Sequence, residues 1–409
     1  MRIRLPLAAS LIPLGLLALG ASMPALAQVE TKPPEVPTEK PAFANQTRAP
    51  GVKSNTAYQI TTLASSLNHP WGMAFIGKDT LLVTERNGHM RTVTLAGKLG
   101  DPISGVPEVV VSKGGGPGSS QAGLFDVAAS PDFAKDRTVF IAYMAADPDG
   151  MKRLKVARAR LSPGDKALEG LKVIFSAEPG ASGELNIGGR LAFAKDKTLF
   201  VTVGDRFQLM DDAQTLDNDL GKVIRINADG SIPKDNPFAG KAGAKGEIWS
   251  IGHRSEEGLT LGPDGRIWEM EHGPRGGDEI NRPDPGKNYG WPVITYGEDY
   301  NGKPIKDGIT AKAGLEQPLY YWDPVIAPSG MTFYTGAMFP EWKGNLFVGS
   351  LKQTHVDRLV MDGTKVVGEE RMFPELNVRI RDIIQGPDGA LYVSTDEDAG
   401  KVVRISAKK

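Results

Sequence analysis

One unit recurs along this chain, and it restricts the fold more than any other feature. An apolar stretch is followed by a Pro-Asp-Gly-like turn, an alternating strand, and a further strand ending near an Arg-Ile pair. The unit reads Gly72-Met73-Ala74-Phe75 with Leu81 to Glu85 and Met90-Arg91, and returns at Ala128 with Pro131-Asp132 and Val139 to Tyr143. It recurs at Leu191 with Leu199 to Val203 and Val223 to Ile226, at Leu259 to Gly265 with Ile267-Trp268, at Gly344 to Ser350 with Asp357 to Leu359, and at Ile383 to Gly389 with Leu391 to Ser394 and Val402 to Ile405. Proline presets φ in such turns and glycine tolerates positive φ, so each copy specifies a tight connection between strands. Six copies, spaced by roughly 45 to 80 residues with almost no helical period, predict an all-β chain folded as a six-bladed β-propeller with long loops at one end of the channel. A sandwich pair or a β-helix is the alternative.

The region before the repeats is different. Arg2 and Arg4 precede an apolar run from Leu5 to Leu19 that Pro6 and Pro13 interrupt, and Ala25-Leu26-Ala27 forms a small-x-small cleavage site. Residues 1–27 therefore read as a signal peptide, and the expected location is the periplasm. Residues 28–58, rich in Pro, Thr, Glu and Lys, read as a flexible linker, leaving 59–409 for the propeller. The sequence contains no cysteine, so thiol catalysis, thiolate zinc and iron–sulfur chemistry are excluded. A formal net charge of −1 gives no sign of a nucleic-acid partner.

The stretch from Glu269 to Trp291 has neither helical nor alternating period. Its Gly, Pro and Asp content predicts a long loop after a strand, solvated or pinned by an ion, and Asp278 and Glu279 with nearby carbonyls suit a hard cation such as calcium. Polar and cationic candidates elsewhere are Gln121, Arg190, Arg254, Lys352, Arg379 and Arg381. Alternation places Arg379 and Arg381 on one strand face, where two guanidiniums repel unless an anion lies between them. A ligand with several carboxylates would supply that anion; solvated edge arginines are the simpler reading. The insertions after Val203, after Trp268 and around Tyr296 to Pro328 are expected to wall a pocket.

Several motifs then carry a resemblance. Gln121-Ala122-Gly123-Leu124-Phe125, Gly188-Gly189-Arg190-Leu191, Val203-Gly204-Asp205, Leu220 to Ile226, Asp235 to Phe238, Gly252-His253-Arg254, Glu271 to Asn281, Gly286 to Pro292 and Arg379 to Asp382 run in order over nearly the whole propeller. Together they resemble the soluble PQQ-dependent aldose sugar dehydrogenases of the glucose/sorbosone dehydrogenase family. The resemblance implies a sugar oxidoreductase that binds pyrroloquinoline quinone (PQQ), a tricarboxylate, together with calcium. By position, Gln121, Arg254, Lys352, Arg379 and Arg381 match its quinone contacts, Tyr300 lies beside the cofactor, and Ser255 stands in the cofactor set where the family has Asn. The carbonyls of Gly273 and Pro274 match the active-site calcium ligands, and Glu279 with the Tyr289 carbonyl match a second, structural calcium.

One departure bears on catalysis. The family's general base is a histidine oriented by an aspartate matching Asp205, and here that position is Asn186. A carboxamide hydrogen-bonds a hydroxyl but does not take its proton. Asp205, acting through water, and Glu184 are substitute bases to consider; His272 carries little weight, and His69, His89, His253 and His355 read as structural. Asp211 and Asp212 are candidate lip residues, and Glu256 and Glu257 add unexpected negative charge. Three readings stay open: a PQQ- and calcium-dependent aldose dehydrogenase that hands electrons to an unidentified acceptor, a non-catalytic PQQ or sugar binder, and a calcium-dependent lactonase-like hydrolase.

Overall fold

The computed structural model describes residues 28–111 and 120–408. The proposed signal peptide lies outside them. Among the described residues no helix is long and apolar enough to cross a membrane.

Six antiparallel sheets are arranged around a channel, as the repeat predicts. Their inner strands are Pro70–Phe75, Leu124–Ala129, Gly188–Phe193, Glu256–Leu261, Pro328–Phe333 and Ile380–Gln385, and each neighbours the next, with the last returning to the first. We number the blades one to six in that order. Among the described residues, blades two to six have four strands and blade one has three, and an isolated bridge between Val93 and Leu99 extends its edge. Blade six borrows its outer strand from the beginning of the propeller: Tyr58–Leu67 pairs with Gly400–Ala407, from Tyr58 opposite Ala407 to Leu67 opposite Gly400. This pairing ties the two ends of the propeller into one ring.

Most of the core lies between blades. Phe125, Phe140, Leu191 and Val201 fill the seam of blades two and three, and Trp268, Tyr320, Trp322, Met331 and Phe333 that of four and five. The seam between blades three and four is different. Its buried apolar cluster is only Phe200, Val223, Leu259 and Ile267, and much of the adjoining space is taken by buried Lys222, His253, Glu256 and Glu269.

The expected flexible linker over residues 28–58 is laid against blades four and five. Gln46 is fully buried, donating to the Pro318 carbonyl at 2.9 Å while its own carbonyl accepts from the Tyr321 amide at 2.8 Å. Gly51 bridges Glu369, and Glu30 pairs with Arg371 at 2.6 Å. Main-chain bonds and single polar anchors hold this segment, so a count of apolar residues does not reveal it.

Candidate functional site at one end of the channel

Antiparallel pairing decides where the functional residues meet. The start of each inner strand lies beside the end of the second strand of its own blade. Gln121, Asn186, Arg254 and Arg379 sit just before inner strands, while Arg86, Asp205, Gly273, Lys352 and Asp396 sit just after second strands. Residues spread over most of the chain therefore share one end of the channel.

Asn186 and Asp205 form the centre of this end. Asn186 has φ 47°, and its Nδ2 donates to Asp205 Oδ1 at 2.9 Å. Asp205, fully buried, also accepts from the Phe207 amide at 2.7 Å and from Trp291 Nε1 at 2.7 Å. Burial raises its pKa in spite of Arg254 and these donors. Gln121 Oε1 accepts from the Asn186 amide at 2.7 Å. The carboxamide thus takes over the aspartate rather than freeing it for a base role, and its own Oδ1 is left to accept from a hydroxyl.

The other substitute bases are also engaged. Glu184 pairs with Lys152 at 2.5 Å and its pKa falls: burial opposes this, and the Lys152 contact overrides it. His272 Nε2 lies 2.8 Å from the Pro328 carbonyl, and burial together with nearby arginines pushes its pKa down to about 3. Such an imidazole is a weak base.

The cationic wall is built from separate blades. Arg254 reaches the carbonyls of His272 and Gly273 at 3.0 and 3.2 Å and the Tyr300 hydroxyl at 3.3 Å, and lies over the Trp291 ring at 5.2 Å. Its Nε is buried without a partner, and Tyr300 is 60% exposed, which leaves that ring open to a ligand. Lys352 is half exposed and pairs with Glu35 of the N-terminal segment at 3.0 Å. Arg379 and Arg381 do share an anion, and it is the protein's own: each donates to Asp396 Oδ2 at 3.0 Å. Burial alone would raise the Asp396 pKa, but Arg381, His69 and Arg379 hold it well below the usual carboxylate range. The paired arginines therefore do not by themselves require an acidic ligand. Arg379 stays half exposed, whereas Arg381 is buried and also contacts Glu257 at 3.2 Å.

Deeper in the channel Arg190 acts as a plug. It donates to Asp382 Oδ1 at 3.0 Å, to the Glu257 carbonyl at 2.7 Å and to the Arg381 carbonyl at 2.8 Å, and stacks on Trp71 at 4.0 Å. The negative charge of Ser255-Glu256-Glu257 is thereby accounted for in part: Glu257 serves Arg381, and Glu256 is buried in the blade. Ser255 contributes its carbonyl to the His272 amide at 3.0 Å, while its hydroxyl is buried without a partner.

The calcium candidates lie within blade four: Gly273 and Pro274 join its second strand, Ile267–Glu271, to its third, Asp278–Asn281, which holds Glu279, and Tyr289 precedes its fourth, Tyr320–Trp322. A Cβ on Gly273 would lie 2.2 Å from the Gly276 carbonyl, so only glycine permits this fold of the loop. Asp278 braces it, accepting from the amides of Gly273, Ile326 and Ala327 at 2.9, 2.8 and 2.7 Å, while burial raises its pKa to about 7. Pro274 is buried beside it. Glu279 and Tyr289 line a small cavity with Thr295 and Gly277. Burial, reinforced by Glu271, pushes the Glu279 carboxyl well above its ordinary value, a strain that a bound cation would relieve.

Sequence reading missed Arg86, Asp396 and Trp291. Arg86 lies at the same end of the channel, burial lowers its pKa, and the charges of Asp396, Arg381 and Arg379 act on it. It directly follows the strand Thr80–Glu85, the position Lys352 occupies two residues past its own strand, and that correspondence was the available signal.

Residues 67–404 match the family model described as Glucose / Sorbosone dehydrogenase. The chain belongs to the glucose/sorbosone dehydrogenase family. The Escherichia coli (strain K12) protein described as aldose sugar dehydrogenase YliI is 40% identical over 352 residues, covering 85% of this chain and 93% of that protein. A crystal structure described as glucose dehydrogenase superposes with a TM-score of 0.82 at 44% identity, covering 86% of this chain and all of that one. The quinoprotein glucose dehydrogenase B of Acinetobacter calcoaceticus is 28% identical, over 83% of this chain and 85% of that protein. Family membership makes this chain a sugar dehydrogenase.

Proposed function

We propose that this protein oxidises aldose sugars at the anomeric carbon in the periplasm, using PQQ and calcium, with a proton-transfer step weakened by Asn186. The observation that carries the reading is the convergence of Arg86, Arg254, Lys352 and Arg379 with Asn186, Asp205 and Tyr300 at one end of the channel. Fit favours the cofactor: the unpartnered Arg254 Nε and the half-exposed Lys352 and Arg379 suit a flat tricarboxylate, and Tyr300 offers a ring face. The Gly273 and Pro274 carbonyls, and Glu279 with the Tyr289 carbonyl, make up oxygen sets of the kind calcium accepts. When bound, the quinone supplies a two-electron acceptor whose carbonyl calcium polarises.

The protein's own residues would do the following. Arg254, Lys352 and Arg379 hold the acidic cofactor at the channel mouth. Asn186 Oδ1 accepts the hydrogen bond of the sugar's anomeric hydroxyl and orients it, but leaves the proton to be taken by water. Asp205 and Trp291 fix the carboxamide. The hydrolase reading loses support at the channel centre, where Arg190 and Asp382 form an ion pair instead of a metal-binding set.

The test is reconstitution of the purified protein with PQQ and calcium, followed by reduction of an artificial electron acceptor with a panel of aldoses. Slow, sugar-dependent reduction is expected. Tight PQQ uptake with no reduction by any sugar would favour the non-catalytic binder, and no uptake at all would remove the proposal.

A further inference from the structure

Blade four carries a buried side-chain cluster of which only Glu279 belongs to the calcium sets described above. Strand pairing sets Glu256 opposite Glu271, Glu271 opposite Glu279, and Glu269 opposite Asn281. Side chains alternate along strands, so these five residues share one face of the sheet. The face is turned toward the seam with blade three, where the apolar cluster is small. His253 enters from that side: its Nδ1 lies 3.7 Å from Glu269 Oε2 and 3.8 Å from Glu271 Oε1. One ligand atom from each of these three residues falls within 4.8 Å of the others.

The cluster is unsatisfied as it stands. His253, Glu256 and Glu269 are fully buried, yet both oxygens of Glu256, both of Glu269, His253 Nδ1 and Asn281 Oδ1 lack hydrogen-bond partners. The 3.7 Å separation is too long for a hydrogen bond. Neighbouring cations are committed elsewhere: Lys222 Nζ donates to the carbonyls of Asp212 and Leu220 at 2.8 and 2.6 Å, and Arg254 turns its guanidinium to His272 and Gly273. Buried carboxylates in this state need protons or a cation. A histidine nitrogen converging with them favours a cation. His253 Nε2 lies 2.8 Å from Ser250 Oγ, so a proton there leaves Nδ1 free to ligate.

We propose that His253 Nδ1, Glu269 and Glu271, with the charge of Glu256 beside them, bind a divalent cation in the seam between blades three and four. The mixed imidazole and carboxylate set suits Mn2+ or Zn2+ better than Ca2+, which prefers oxygen throughout. The site adjoins the Glu279 and Tyr289 set, whose cavity Glu271 also lines, but it draws on His253 and Glu269 instead, and it does not rest on the sugar-oxidation reading. Glu271 also accepts from the Arg254 amide at 2.6 Å, so the ion would brace the strand that presents Arg254 to the channel.

The experiment uses the full mature chain, stripped with chelator and equilibrated overnight with Mn2+ in excess Ca2+. Bound Mn2+ is read by electron paramagnetic resonance, total metal by elemental analysis, and stability by thermal melting. Wild type should take up one Mn2+ that Ca2+ does not displace, with a higher melting temperature, and Zn2+ should compete for it. Glu269→Gln and His253→Gln should each lose that equivalent, whereas Glu279→Gln should retain it and lose calcium instead. Wild type that binds no Mn2+ under these conditions, or Glu269→Gln and His253→Gln variants that bind it as wild type does, would overturn the proposal. The carboxyls would then be protonated core groups.

Discussion

At the scale of single residues, the chemistry turns on Asn186. The aspartate that orients the family's histidine is present, buried and fully bonded, and it holds a carboxamide in place of an imidazole. General-base catalysis contributes about 10²–10⁴-fold. Asn186→His should therefore raise turnover at least tenfold with little change in quinone affinity, and should introduce a rise of rate with pH as the new imidazole loses its proton. Steady-state kinetics across pH would check both, and an unchanged rate would show that another base already serves. Arg190 offers a contrasting case. Its guanidinium is buried among Asp382, two backbone carbonyls and the Trp71 ring, so Arg190→Met leaves the Asp382 carboxylate unpaired. Removing one partner of a buried pair costs about 3–5 kcal/mol, and denaturant unfolding should show a loss of that order.

At the scale of elements, the blades were legible and the N-terminal segment was not. Alternating strands and Pro-Asp-Gly turns are local signals, and five of the six inner strands fall where the repeats place them; in blade five the repeat marked the second strand, Leu346–Ser350, and not the inner one. The rim residues Arg254, Lys352 and Arg379 were readable from motifs. Asp396 was not, because an ion pair that joins Asp396 to both arginines exists only once the ring closes. The same holds for the segment read as a tether. Glu35 links Lys352 at 3.0 Å to the Gly276 amide at 2.9 Å, so a carboxylate already occupies a lysine expected to grip the cofactor. Exposed pairs contribute about 0.2–1 kcal/mol. Glu35→Gln should accordingly tighten quinone binding by a few-fold at low salt, with the difference shrinking as salt rises; fluorescence titration would measure it. Equal affinities at every salt concentration would mean that Lys352 takes no part in the cofactor grip.

At the scale of the whole molecule, the ring carries buried carboxyls well away from the channel mouth, and their protonation sets how stability depends on pH. Burial is the leading cause in each case: it raises Asp126 to about 7 against the pull of Arg190, and Glu369 to about 7 with the help of Asp357. Asp219 rises to about 6, with Lys245 opposing. A carboxyl whose pKa is higher folded than unfolded binds more protons in the folded state. Its contribution is complete below the unfolded pKa, near 4, and is lost as pH climbs toward 6 or 7. Asp396 and His272 work the other way: the Asp396 pKa lies so low that its stabilisation is lost only in strong acid, outside this window, whereas buried His272 takes back part of the slope below about pH 6.5. Each such proton changes stability by about 1.4 kcal/mol per pH unit within its range. Chelator-treated protein should therefore melt several degrees lower at about pH 8 than at about pH 5. Asp126→Asn should flatten part of that slope, because a neutral amide has no proton to lose. A melting temperature that rises over the same interval would show that these carboxyls are ionised in the folded ring and satisfied by their neighbours.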